Sequence, residues 1–254
     1  MKIRFVDIDD RMDDLSDRMR ADPELAGEFL RRYELSWLYH ENALEGVVYT
    51  GQELATALDH PPVSDASFVG VLQDIRRHKV AVDLVRDEAK SKKVRVNLTF
   101  VRRLNETLAG GPDAKGCEFR KDMPLHRAYF HEIAQPAKIP TLLQKVIDAC
   151  ESADFRNAHP IQRAAKLHHG FMQVFPYTES SGRIARLLAN LVLLQAGYRV
   201  PCIIHATDRQ RYYESLRLPE ASLRDLTTEA LANALDQAEK FFRENPSRGR
   251  KAAR

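Results

Sequence analysis

Cysteine is scarce in this chain: Cys117, Cys150 and Cys202 are the three among 254 residues. Their separations fit neither a close metal-ligand pair nor a disulfide framework, so both scaffolds are set aside and the thiols are expected reduced, as in a cytoplasm. Long apolar runs are missing too, which removes a membrane-spanning helix. The start, MKIRFVDIDDRMDDL, turns acidic within ten residues, and no secretory signal is expected there. No internal repeat or low-complexity tract occurs. Nor is there a strong charge of one sign. The formal net charge is +3, and of the 39 Lys and Arg four (Arg248, Arg250, Lys251 and Arg254) fall in the last nine residues, leaving 35 against 36 Asp and Glu. A broad nucleic-acid-binding face is therefore not expected, and the basic end at 246–254 reads as a solvated, disordered tail.

What is present is helical text. Hydrophobic residues at 44% and charged residues at 30% describe a globular protein of ordinary composition, long enough for one sizeable core. Phe29, Leu30, Tyr33, Trp37, Leu38 and Leu44 recur largely at three- and four-residue steps, so a helix is expected from Leu25 to Glu45, stopped by Gly46. Trp37 reads as core. Further helices are expected over 68–88, 99–108, 141–151, 160–174, 183–196, 209–217 and 228–244. Gly110, Gly111 and Pro112 mark a loop, and the stretch 117–133 reads as a short β-hairpin or extended flap that Pro136 and Pro140 end. The expected class is mainly α.

The stretch that carries chemistry is Phe175–Arg186, FPYTESSGRIAR. Glu179, Ser180, Ser181 and Gly182 form a small polar loop just before a helix, where free backbone N–H groups and the helix dipole favour an anion. Arg183, Arg186 and Asn190 follow at i, i+3 and i+7, on one helix face. Two guanidinium forks beside a helix N-terminus suit phosphate oxygens. Glu179 beside them could hold Mg²⁺, which takes one or two carboxylates together with substrate phosphates. Read alone, the same residues also describe a capped amphipathic helix with surface arginines.

The run HPIQRAAKLHHGFMQVFPYTESSGRIARLLANLVLLQAGY, 159–198, resembles the core of the Fic (Fido) family, whose pattern is His-Pro-Phe-x-Asp/Glu-Gly-Asn-Gly-Arg-x-x-Arg. RQRYYESL resembles a downstream helix of that family, and SWLYHENALEG is similar to its inhibitor-helix pattern, Ser/Thr-x-x-x-Glu-Gly/Asn. The resemblance implies a Fic-type helical bundle with a short β-hairpin flap. It sets an N-terminal helical segment at 1–66, with the inhibitor-like helix at about 31–46. A core follows at 67–218, with a C-terminal helix at 219–245 packed on it. Family members move AMP from ATP onto a protein hydroxyl, so ATP or another nucleotide and Mg²⁺ are the ligands implied. Carried across residue by residue, Glu179 would hold the metal and Ser180, Ser181 and Gly182 would form the anion-binding loop. Arg183 and Arg186 would contact phosphates, and Tyr212 and Tyr213 would line the base pocket. Glu45, followed by Gly46, would be the inhibitory glutamate pairing with Arg186. The flap at 117–133 would dock a target segment or regulatory partner by strand addition, and a homodimer is a further expectation.

Three departures shape the functional expectation. Phe175 stands where the family has its proton-accepting His; Ser180 and Ser181 replace Gly and Asn; and Glu41 stands at the inhibitor motif's Ser/Thr. The expected function is accordingly a Fic-fold protein that binds a phosphate or nucleotide ligand without ordinary AMP transfer. The alternative is an active transferase of AMP or another phosphate-containing group through altered chemistry. His168 and His169 lie about 100° apart on one helix, so they do not share a face and read as structural. His205 could approach the pocket from another side, and His126 and His131 fall in the flap, where exposed loop positions are an equal reading.

Overall fold

The computed structural model of the protein describes residues 3–59, 66–91, 96–124 and 131–246. Eleven α-helices lie among them: α1 (Phe5–Ala21), α2 (Pro23–Leu44), α3 (Gly51–Asp59), α4 (Ala66–Ala89), α5 (Leu98–Ala109), α6 (Ile139–Ala149), α7 (Ala153–Asn157), α8 (Pro160–Val174), α9 (Ser181–Gln195), α10 (Arg209–Arg217) and α11 (Glu220–Glu244). None is long and apolar enough to cross a membrane.

Local chemistry sets the helix starts. Asp22 accepts from the Leu25 N–H at 3.0 Å with Pro23 at the first helical position, and Asn97 accepts from Phe100 N–H at 2.8 Å. His159 begins α8: its Nδ1 accepts from Ile161 N–H at 3.3 Å, while Gln162 returns a bond to its backbone N–H at 3.1 Å. Gly110, at φ 102, ends α5 in the left-handed conformation.

Helix α9 is the axis of the molecule. All of it except Arg183, Leu194 and Gln195 is buried, the pattern of a helix enclosed on every side. It packs on α8 and α4, while α11 covers α8 and α10 and also meets α1. Helix α2 is part of the same core, with Trp37 and Leu38 at 0% and Leu44 at 1% exposure. The C-terminus of α2 is therefore fixed against the start of α9.

The hairpin expected at 117–133 is not found: no strand forms among its described residues, and 125–130, with His126, lie outside them. The reason is competition for hydrogen bonds. The last carbonyls of a helix have no partner within it, and those of α8 capture both stems of the segment. Met172 O lies 3.0 Å from His131 Nε2, Gln173 O accepts from Ala134 N–H at 2.9 Å, and Pro176 O accepts from Arg120 N–H at 2.9 Å. The Arg120 guanidinium completes the set, donating to Phe175 O at 2.7 Å, to Val174 O at 3.3 Å and to Ala134 O. The stems thus pair with the helix end instead of each other.

Candidate functional site

Phe175 opens the loop between α8 and α9. It is the one non-glycine residue with positive φ (46°) among the described residues, a left-handed conformation costing roughly 1–2 kcal/mol for an L-residue. Bonds from its N–H to Phe171 O (2.9 Å) and from Arg120 to its carbonyl hold it there. The side chain is 1% exposed, and its ring meets the buried His131 edge-on with centroids 6.4 Å apart. His131, read as loop or flap from the sequence, is in the core beside Phe175.

The two serines are spent on the loop itself. Ser181 Oγ donates to Tyr177 O at 2.6 Å and accepts from Tyr177 N–H at 2.8 Å, closing the turn. Ser180 Oγ donates to Asn105 Oδ1, and the Asn105 amide reaches Gly116 O and Cys117 O at 3.0 and 3.2 Å. Thr178 and Glu179 are left exposed at the tip.

Across from this loop stands the end of α2. A Cβ on Gly182 would lie 2.1 Å from Glu45 Oε1 and 3.1 Å from Arg186 Nη1, so the Glu45 carboxylate rests directly on the first turn of α9. Glu45 Oε1 is 2.9 Å from Arg186 Nη1. Gly46 follows at φ 90, a conformation that lets the chain turn away immediately. Tyr213 OH and Arg209 Nε donate to Leu44 O at 3.0 and 2.9 Å and steady this helix end.

Arg186 is 2% exposed and saturated. Its Nε donates to Glu41 Oε2 at 2.5 Å, its Nη2 to Glu41 O at 3.1 Å, and its Nη1 to Tyr212 OH at 3.3 Å. Trp37 Nε1 donates to the other Glu41 oxygen at 3.3 Å. Burial pushes the Glu41 carboxyl above its ordinary range, against the pull of Arg186 and Trp37. Arg183 lies 3.5 Å from Asp74, which also accepts from Tyr49 OH at 2.5 Å. Two guanidiniums thus face three carboxylates, Glu41, Glu45 and Asp74.

Helix α4 adds His78, 0% exposed. Its Nδ1 accepts from Asn42 Nδ2 at 3.0 Å, so Nε2 carries the proton. Burial, with Arg183 and Arg186 nearby, holds it well below its ordinary range and neutral. His78 Nε2 and Arg183 Nε are buried donors with no hydrogen-bond partner among the described residues.

The remaining sequence candidates lie at the edge of this cluster or away from it. Tyr212 and Tyr213 are 0% and 2% exposed, so neither ring presents surface to solvent. Tyr212 OH sits between Arg186 and His168 Nε2, the latter at 2.9 Å. Asn190 pairs with Cys202 through both amide atoms, at 2.7 and 3.1 Å. His169 lies 3.1 Å from Leu218 O, and His205 stacks on His40 at 4.3 Å with planes 5° apart. Asp74, Tyr49, His78, Asn105 and Arg120 carry no local signal and join the site through tertiary packing. Glu41 does carry one, because four residues before Glu45 on a helix is the same face.

The donor set fits Mg²⁺ only as a shared ligand. No group of three His, Cys, Asp or Glu that could hold a metal forms among the described residues. The exposed Glu179 carboxylate suits an ion that keeps several waters and takes its remaining oxygens from a ligand's phosphates.

The class is a helical bundle whose enclosed central helix begins at a polar loop and carries two arginines in its first turns. The family profile described as the Fic/DOC family matches residues 95–193. The chain is 26% identical over 216 residues to the protein adenylyltransferase Fic of Drosophila virilis, covering 85% of this chain and 44% of that one. With the Drosophila willistoni protein of the same name it is 26% identical over 182 residues, 71% of this chain and 36% of the other. It therefore spans less than half the length of these relatives. Among solved structures, a Fic domain containing signaling protein from Bacteroides thetaiotaomicron superposes with TM-score 0.70 at 20% identity, over 91% of this chain and 97% of its own. Fic-1 from C. elegans (residues 134–508) gives 0.69 at 21%, over 91% and 72%. The chain thus carries a Fic/DOC profile match over residues 95–193, is related in sequence to proteins named protein adenylyltransferase Fic, and shares its fold with Fic-domain structures.

Proposed function

We propose that this chain binds a nucleotide or other phosphate-bearing ligand at the N-terminus of α9 and does not perform ordinary AMP transfer. The observation that carries this reading is Phe175. It holds the position of the family's proton acceptor, is 1% exposed, and offers no atom that can take a proton. General-base assistance is typically worth ~10²–10⁴-fold, and the loss is larger where groups act as a unit. Anion binding is supported by the Gly182 turn, by Arg183 and Arg186, and by the two buried donors left over, His78 Nε2 and Arg183 Nε. Mg²⁺, held by Glu179 together with the ligand, would neutralise phosphate charge. Glu45 lies where a phosphate would sit, so ligand binding requires its carboxylate to move. A protein partner meeting the 117–133 segment would sense the site through Arg120, which joins that segment to the Phe175 carbonyl.

Incubation of the purified protein with Mg²⁺ and ATP labelled on the α-phosphate tests this. No labelled protein is expected, from the chain itself or from added acceptors; robust Mg²⁺-dependent labelling would end the proposal. Transfer by altered chemistry is the second reading, and His131 beside Phe175 favours it as a stand-in proton acceptor. Under that reading labelling appears and His131→Gln removes it.

A further inference from the structure

Glu41 and Glu45 both hold Arg186, but they are attached to the protein in different ways. Glu45 caps the end of α2 beside Gly46, and one ion pair ties it to the guanidinium. Glu41 is one turn deeper and 1% exposed. Its two carboxylate oxygens bond to Arg186 Nε and Trp37 Nε1, and its main-chain carbonyl also accepts from Arg186 Nη2. Trp37 and Leu38, on the same helix, are 0% exposed. Rotation of the Glu41 side chain would break a buried ion pair and still leave the main-chain contact.

The charge count has a consequence for the ligand. With Glu45 in place Arg186 faces two carboxylates; with Glu45 displaced it still faces one, in a site closed to water. An entering terminal phosphate would meet a neutralised pair, not a free cation. Arg183 is no substitute, since Asp74 balances it at 3.5 Å. The attraction that would reward a third phosphate is thus cancelled from within α2.

We propose that Glu41 is the specificity-determining residue of this site: by holding Arg186 whether or not Glu45 is present, it withdraws that arginine from a terminal third phosphate. The site then selects nucleotides without a terminal third phosphate, so that a nucleoside diphosphate binds at least as well as a triphosphate. This rests on the phosphate-site reading above and adds to it. Removing Glu45 alone opens space without supplying charge, and removing Glu41 supplies the charge.

The test is calorimetric titration of Mg²⁺–ATP and Mg²⁺–ADP into the full chain and its Glu45→Gly, Glu41→Ser and Glu41→Ser/Glu45→Gly variants. Thermal melts establish that each is folded, and Glu41→Gln/Glu45→Gly keeps the hydrogen-bonding shape should the serine variants fail to fold. Glu45→Gly is expected to bind ADP at least as tightly as ATP. The double variant is expected to gain tenfold or more in ATP affinity over Glu45→Gly, with a smaller gain for ADP. A gain below tenfold, or a Glu45→Gly variant already preferring ATP, overturns the role of Glu41 while leaving the phosphate site standing. Absence of binding by every folded variant to both nucleotides overturns the phosphate-site reading and this inference with it. A Glu41 that served stability alone would shift the melts without changing the ATP-to-ADP ratio, which also counts against the proposal.

Discussion

Along the α2 wall of the site, Glu41 is 1% exposed and every oxygen it carries is engaged by Trp37 or Arg186, whereas across from it Thr178 and Glu179 stand exposed at the tip of the loop leading into α9. The charged residues of the first wall are held by the core and in turn hold it. Those at the loop tip are free of that duty. The same residue type, glutamate, is thus framework at position 41, an ion-pair partner resting on the first turn of α9 at 45 and an exposed carboxylate at 179. Substitutions should therefore separate stability from binding according to the wall they touch.

The sharpest break of the comparison is Arg186→Ala. It leaves Glu41 and Glu45 facing each other without a cation in a buried site, and removing one partner of a buried pair costs about 3–5 kcal/mol. Urea denaturation should show a loss of that size, and a loss below about 1 kcal/mol would mean that the α2 wall is not held by this arginine.

Acid should act next, through histidines on α2, α4 and α8. Burial, with His205 stacked alongside, lowers His40 to about 4; burial also holds His78 and His168 well below their ordinary range. Each takes up a proton on unfolding at a higher pH than it does when folded. Stability is therefore full above the unfolded pKa of about 6.5 and falls as pH drops from there toward the folded values. Glu41 opposes this trend, because its carboxyl is raised in the folded state and favours folding at low pH. Three histidines against one carboxyl predict a lower denaturation midpoint at pH 5 than at pH 7; an unchanged midpoint would show that these imidazoles are hydrated in solution.

A milder probe is Gly182→Ala. Its Cβ would overlap Glu45 Oε1, the far end of a flexible side chain, so the carboxylate should be pushed aside at a cost of about 1 kcal/mol. In a Glu45→Gly background the clash is gone and that cost should vanish. A double-mutant cycle by denaturation reads the coupling directly, and additivity would place Glu45 away from Gly182.

Much of the helical frame was legible because capping chemistry is local. His159, Pro160 and Gln162 define the start of α8, and the expected range of 160–174 matches the helix found. Helix α1 was less legible because an acidic run surrounds the spacing of Ile8, Met12 and Leu15. The C-terminal helix runs Glu220–Glu244, eight residues ahead of the start at 228 that spacing gave and within one residue of the 219–245 span that the resemblance implied. The hairpin expectation at 117–133 misled because local sequence says nothing about a competing helix end nearby. The α8 carbonyls that draw in Arg120 and His131 exist only in the fold. At the site, motif residues 175–186 were readable as a group, while Asp74, His78 and Asn105 arrive from helices distant in sequence. Glu41 was visible but compared with the wrong property: its departure from a Ser/Thr pattern matters less than its one-turn spacing from Glu45.

The smallest expected effect on stability is also the most direct probe of the loop-tip wall. Glu179 is exposed, so Glu179→Ala should change folding stability by no more than about 0.5 kcal/mol. Under the proposed function its carboxylate would hold a Mg²⁺ shared with the ligand, and a metal that bridges protein and phosphate makes ligand affinity depend on both. Nucleotide titrations in Mg²⁺ and in EDTA should therefore differ for the Glu45→Gly protein and converge once Glu179→Ala is added. Were the Mg²⁺ dependence to survive loss of Glu179 with stability unchanged, the ion would be travelling with the nucleotide alone, and the loop tip would contribute an open approach to the α9 N-terminus instead of a metal ligand.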